Sequence, residues 1–168
     1  MPRRRQPEPP IYTFRVRILG GYYAPAGATK VWREIDVAAN QTLTDLGNAI
    51  PLAFDFDDPH LWSFFLSGEA WDRASEYALH SEASLLGGAR PPAAGRIQIR
   101  DVPLPGATGK KEFLFLFDYG DEWHFGVKLR RVTDQVEPGA QYPRVVASHG
   151  GAPPQYPNPD PEDDEDEA

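Results

Sequence analysis

At 168 residues, with 40% hydrophobic and 12% aromatic content, the chain has the size and apolar fraction of one globular domain. It has no cysteine, which excludes disulfides, thiolate nucleophiles and cysteine-ligated metal. The net charge of −8 sits mostly in Asp160 to Glu167, so the body from Pro10 to Pro157 is near −3 and is neither a basic nucleic-acid saddle nor a polyanion mimic.

The chain opens with "MPRRRQPEP", a basic, proline-rich arm over residues 1–9 with no apolar stretch of a secretory leader behind it. It closes with an acidic tail over residues 158–168, and like charge without apolar residues predicts disorder at both ends. No segment approaches the ~20 apolar residues of a membrane helix, so no membrane association and a cytoplasmic location are expected.

Within residues 10–157, "IYTFRVRIL" alternates, with Tyr12, Phe14, Val16 and Ile18 on one face and Thr13, Arg15 and Arg17 on the other. "KVWREIDV" repeats the period with Val31, Ile35 and Val37 on one side, and the two segments are expected to pair antiparallel. Trp32 is expected to cover a second layer, because so large a side chain usually buries its area. "NQTLTDLGNAIPLAF" changes to helical spacing through Leu46, Ala49, Ile50, Ala53 and Phe54, with Thr42 as N-cap and Asp45 completing a capping box. Pro51 predicts a kink or an end near Ile50.

"DFDDPH" reads as a turn and "LWSFFLS" as an aromatic strand. From Gly68 to Pro105 the pattern is weak: one or two amphipathic turns, a surface loop at "ARPPAAG" and, in "RIQIRDV", a short strand or a strand running into a turn are expected. "EFLFLF" is apolar on both faces and predicts a central strand. The next strand turns Trp123, Phe125, Val127 and Leu129 inward and His124, Lys128 and Arg130 outward. The five residues between them, Asp118 to Glu122, form a hairpin loop in which Gly120 is expected at positive φ. The fold class that follows is α+β: a single domain with a mixed, mainly antiparallel sheet and one principal helix packed on it.

No catalytic pattern emerges. There is no nucleophile elbow, Ser148-His149-Gly150 reads as loop, and "GGARPPAAG" has prolines where a phosphate cradle needs N–H groups. Asp55, Asp57, Asp58 and His60 could join Asp118, Asp121, Glu122 and His124 in an oxygen-rich site, but neither run has metal-loop spacing. No cofactor and no metal are expected.

The order "VWREIDV", "TLTDL", "DDPHLWSF", "EFLFLFDYGDEW" and "YPRVVASHGGAPP" resembles the plasmid pRiA4b ORF-3-like family, often labelled TnpR-like passenger proteins of insertion elements, over about Ile11 to Pro154. The resemblance implies a compact α+β domain and a mobile-element or plasmid association, and no established reaction. It makes Tyr142 and Arg144 candidate binding residues beside Asp118, Tyr119, Asp121, Glu122, His124 and His60. It also implies departures. Members carry His and Gln where this chain has Gly47 and Pro51, a polar residue at Trp62, and a cysteine-bounded segment where this chain reads Ala152 to Pro157. The expected function is a non-enzymatic accessory or binding module presenting the hairpin loop, to a protein partner rather than nucleic acid; the alternative is a weak metal-dependent hydrolase using the acidic loops.

Overall fold

Alternating apolar and polar residues build most of the molecule. The computed structural model describes residues 4–80 and 91–157. In them run β1 (Ile11–Gly20), β2 (Trp32–Ala38), α1 (Leu43–Ala53), β3 (Trp62–Phe65), β4 (Glu76–Ala78), β5 (Phe113–Phe117), β6 (Trp123–Thr133) and β7 (Arg144–His149). The strands form one sheet in the order β4-β3-β5-β6-β1-β2-β7. Each neighbouring pair is antiparallel, β1 with β2 as expected, and the isolated Ala78–Ala93 bridge is parallel. The fold is therefore α+β but dominated by its sheet, which does not close into a barrel. No described helix is long and apolar enough to cross a membrane. The acidic tail lies outside the described residues.

The middle of the sheet is covered on both sides. Phe113, Phe115 and Phe117 join the main core under α1, while Leu114 and Leu116 pack with Phe65 on the opposite face. Trp123, Phe125 and Val127 are fully buried on the main side, and Trp123 pairs with Phe117 across the hairpin. Hydrophobic burial of these aromatics is the chief stabilising term.

Thr42 and Asp45 form the full capping box at the start of α1. The helix does not end at Ile50: it carries Pro51 in its last turn and runs to Ala53. So close to the end, the missing N–H removes a single bond. The Pro51 and Leu52 carbonyls accept from the Phe56 and Asp55 amides, with Asp55 left-handed at φ 59°, a Schellman arrangement that turns the chain into the next loop. Arg33 lies on the core side of β2 and donates to the Ala53 carbonyl at 3.0 Å and to the His149 and Gly150 carbonyls. A cation thereby meets the negative end of α1 and ties it to the sheet.

Five expectations change. Residues 73–75 form a 3₁₀ turn and 76–78 the edge strand β4, where amphipathic helical turns were predicted. "RIQIRDV" is not a strand of the sheet but a single bridge from Gln98 to Thr42 that runs into a 3₁₀ turn at Ile99–Asp101, and Ala94, in the predicted surface loop, is fully buried. Ser148 and His149 belong to β7, opposite Arg33 and Trp32, and not to a loop. Trp32 covers no second layer: it lies on the outer face of β2, with the Arg15 guanidinium 4.0 Å from its ring and His149 stacked beside it. Contacts between segments distant in the chain supplied these, and no local pattern encodes them.

Candidate functional site

The hairpin loop between β5 and β6 is built by Asp118. Its Oδ1 accepts the amides of Gly120 at 3.0 Å and Asp121 at 3.2 Å, and its carbonyl accepts from Glu122 at 2.7 Å. Positive φ falls on Asp118 (66°) and Glu122 (48°), not on Gly120, because an aspartate whose side chain bonds to its own turn tolerates the left-handed region. Asp118 is only 7% exposed, so the loop does not present it outward as a free recognition residue. Its amide also donates to the Leu61 carbonyl at 2.9 Å, fixing the loop to the entry of β3.

The two residues at the start of the loop point to opposite sides of the sheet. Asp118 turns to the α1 side, where its Oδ2 lies 3.4 Å from Nε2 of His60. That nitrogen is also 2.8 Å from the Tyr156 hydroxyl and 3.5 Å from Oδ2 of Asp58. The Tyr156 hydroxyl donates to Asp58. Its one proton is then committed, so His60 must carry a proton on Nε2 to complete the contact. The bond to the Asp58 carboxylate, with Asp118 and Asp121 nearby, pushes the Tyr156 hydroxyl up to about 12. Gln155 completes the tie, its side chain exchanging hydrogen bonds with the Asp58 amide at 3.2 Å and carbonyl at 2.9 Å.

These groups stand at one end of an open cleft of about 220 Å³ between the last turn of α1, the 56–60 loop and the ends of β3 and β5. Phe56, Trp62 and Phe117 supply its apolar wall, Leu52 its lip, and Asp57 and Asp58 its acidic rim. His60 and Asp118, both named from sequence, meet here; Tyr156 and Gln155 were missed, because no local spacing links them to Asp58 and His60 almost a hundred residues earlier. Among the described residues, no three His, Asp or Glu side chains are grouped to hold a metal ion.

Tyr119 turns to the other side, its hydroxyl 2.7 Å from Oγ of Ser63 and 3.2 Å from the Trp62 carbonyl. Burial pushes that hydroxyl up. Glu122 accepts from the Trp71 indole at 3.0 Å and lies 3.7 Å from His124. Asp121 is half-buried, and its backbone carbonyl accepts from the Tyr22 amide at 2.9 Å.

A family model described as plasmid pRiA4b ORF-3-like protein matches residues 24–156. The chain belongs to that family. A solved structure of a protein of unknown function from Methanosarcina mazei Go1 is similar in fold, with a TM-score of 0.63 and 24% identity over 87% of this chain and 72% of that one. A comparison with curated proteins finds no match.

In this pRiA4b ORF-3-like chain, the tract Tyr142 to Arg144 stands far from the cleft. It begins β7, four strands from β5, and pairs with Asp36 at the end of the sheet away from the hairpin. Its contacts are internal: Gln41 donates to the Tyr142 carbonyl at 2.7 Å, and Arg144 pairs with Glu137 at 2.6 Å while lying over the Tyr142 ring. Tyr142 and Arg144 therefore do not join His60 and Asp118 in one site.

Proposed function

We propose that the chain is a non-enzymatic binding module, whose cleft beside α1 receives an apolar side chain of a protein partner flanked by basic residues. The observation that carries this is Leu52, 67% exposed at the lip of a wall made by Phe56, Trp62 and Phe117. A large exposed apolar residue beside an apolar wall marks a docking position, and the Asp57 and Asp58 rim favours a cationic neighbour. The polar groups support binding over catalysis. Asp118 caps its own turn, and the Tyr156 and His60 protons bond within the cluster, so these groups spend their hydrogen bonds holding the loops.

The test is selection of displayed peptides on the immobilised full chain. Peptides with an aromatic or aliphatic residue next to Lys or Arg are expected, with capture lost in Leu52→Lys at unchanged melting temperature. Absence of enrichment, or capture indifferent to Leu52→Lys, overturns the reading. Calorimetric titration with Mn²⁺ or Zn²⁺ addresses the alternative: micromolar binding abolished by Asp121→Ala would favour a metal-dependent hydrolase using the acidic loops.

A further inference from the structure

The opposite side of the sheet holds a second pocket, of about 210 Å³, lined by Trp71, Arg73, Glu76 and Tyr119 among others. Glu76 lies on β4 with its side chain 3% exposed, yet its ion-pair partner among the described residues is Arg73, 62% exposed and in contact through one nitrogen 3.3 Å from Oε1. The other oxygen accepts from Ser63 Oγ at 2.8 Å. A buried carboxylate needs a charged partner held in good geometry. Here the partner is tethered loosely from solvent.

Trp71 is the second, independent observation. Its backbone is left-handed at φ 64°, a strained state for a bulky aromatic residue. Such strain persists where the surroundings enforce it and gathers at ligand clamps. The indole N–H is anchored on Glu122 at 3.0 Å, and Phe65 and Tyr119 pack edge-on against the ring at 5.9 and 5.2 Å. Trp71 is still 39% exposed, and the group over its ring is the Arg73 guanidinium at 5.9 Å.

We infer that this pocket is a recognition site for a guanidinium group, in which Arg73 stands in for the ligand when the pocket is empty. A guanidinium suits it because the cation is planar, stacks on an indole and offers a forked pair of donors to a carboxylate. A compact ammonium satisfies the charge but neither the stacking nor the fork. The ligand is free arginine or an arginine side chain of a partner, and the probes separate these sources.

In the full-length protein, the Trp71 indole N–H resonance, assigned through Trp71→Phe, is followed by NMR. The titrants are N-methylguanidinium, methylammonium, free L-arginine and a Gly-Arg-Gly peptide. A saturable shift with N-methylguanidinium is expected, with methylammonium about tenfold weaker. Arg73→Ala removes the internal competitor and should tighten binding by about tenfold. Glu76→Gln should abolish it, and where that variant loses its native spectrum, Ser63→Ala, which frees one carboxylate oxygen without removing the charge, should still bind. A tighter response to the peptide than to free arginine assigns a protein source, and the reverse assigns a small molecule. No saturable shift by ~50 mM in either wild type or Arg73→Ala, where even a millimolar site is filled, overturns the proposal. So does equal binding of methylammonium. Leu52→Lys leaves this site intact, so its outcome is independent of the cleft.

Discussion

The tip of the Trp62 indole occupies the space where a side chain at position 47 would begin: a Cβ on Gly47 would stand 2.3 Å from Trp62 Cη2. The missing side chain on the helix and the large ring on β3 are therefore one feature, with the indole N–H reaching Asn48 on the same helix at 3.3 Å. Gly47→Ala should gain up to about 1 kcal/mol of helix propensity. It should lose about 1–3 kcal/mol to overpacking, for a net loss by urea denaturation. In a Trp62→Phe background the same change should become neutral or stabilising, a coupling expected of residues in contact. Equal effects in both backgrounds would show that the ring does not rest on the helix.

Asp118 is the structural centre of the hairpin loop. Asp118→Ala leaves two amides without their acceptor and a non-glycine residue in the left-handed region, and should cost about 1–3 kcal/mol. Asp118→Asn keeps the acceptor and should cost less. Gly120→Ala and Asp121→Asn should each stay within about 0.5 kcal/mol, because Gly120 carries no positive φ and a Cβ there meets only Asp118 Oδ1, at 3.4 Å. Thermal denaturation of the four variants checks this; a Gly120→Ala loss as large as that of Asp118→Ala would return the turn to a glycine-dependent geometry.

Adjacent residues on β6 should behave oppositely. Trp123→Ala removes a fully buried ring packed on Phe56 and should cost about 3–5 kcal/mol. His124→Ala, on the outer face beside Glu122, should change stability by less than about 0.5 kcal/mol. Similar melting losses for the pair would contradict the strand register.

The tyrosine cluster makes an alkaline signature. The folded value for Tyr156, about 12, exceeds the ordinary value of 10.0, so the folded state keeps that proton longer. Its stabilising contribution is complete below pH 10 and is lost as pH rises toward about 12. Tyr119 is also raised, so ultraviolet titration should show late-ionising tyrosines among the seven. Tyr156→Phe should remove one of them and flatten the fall in stability over that window. An unchanged late phase in Tyr156→Phe would mean the Asp58 bond does not form in solution.

Duplex DNA should bind weakly. Arg17 is held by Glu112 at 2.8 Å and Arg144 by Glu137, while Arg15 and Arg130 share Glu34, so much of the positive charge on the outer sheet face already has a carboxylate beside it. Phosphate binding depends on cations that can release counterions on contact. An electrophoretic shift at ~150 mM salt should therefore be faint and disappear when residues 1–9 are removed. A tight complex surviving that truncation would place a nucleic-acid face on the sheet.

Local pattern in the sequence determined β1, β2, the start of α1 and the β5–β6 hairpin, and the apolar residues that each of these turns to the main core. Alternation and capping are set by neighbours a few residues apart, as Thr42 and Asp45 show. Tertiary structure alone decided β4 and the inward set of Asp118 and Tyr119, which follow from pairing with β3 and contact with Leu61, Ser63 and Trp62, and the 99–101 turn, whose amides bond to the Gln41 and Ala39 carbonyls. It alone brought Gln155 and Tyr156 onto Asp58 and His60, about a hundred residues earlier in the chain. Closing so long a loop is opposed by chain entropy, and what repays it is the packing of the whole sheet, a sum over contacts that no short stretch of sequence displays.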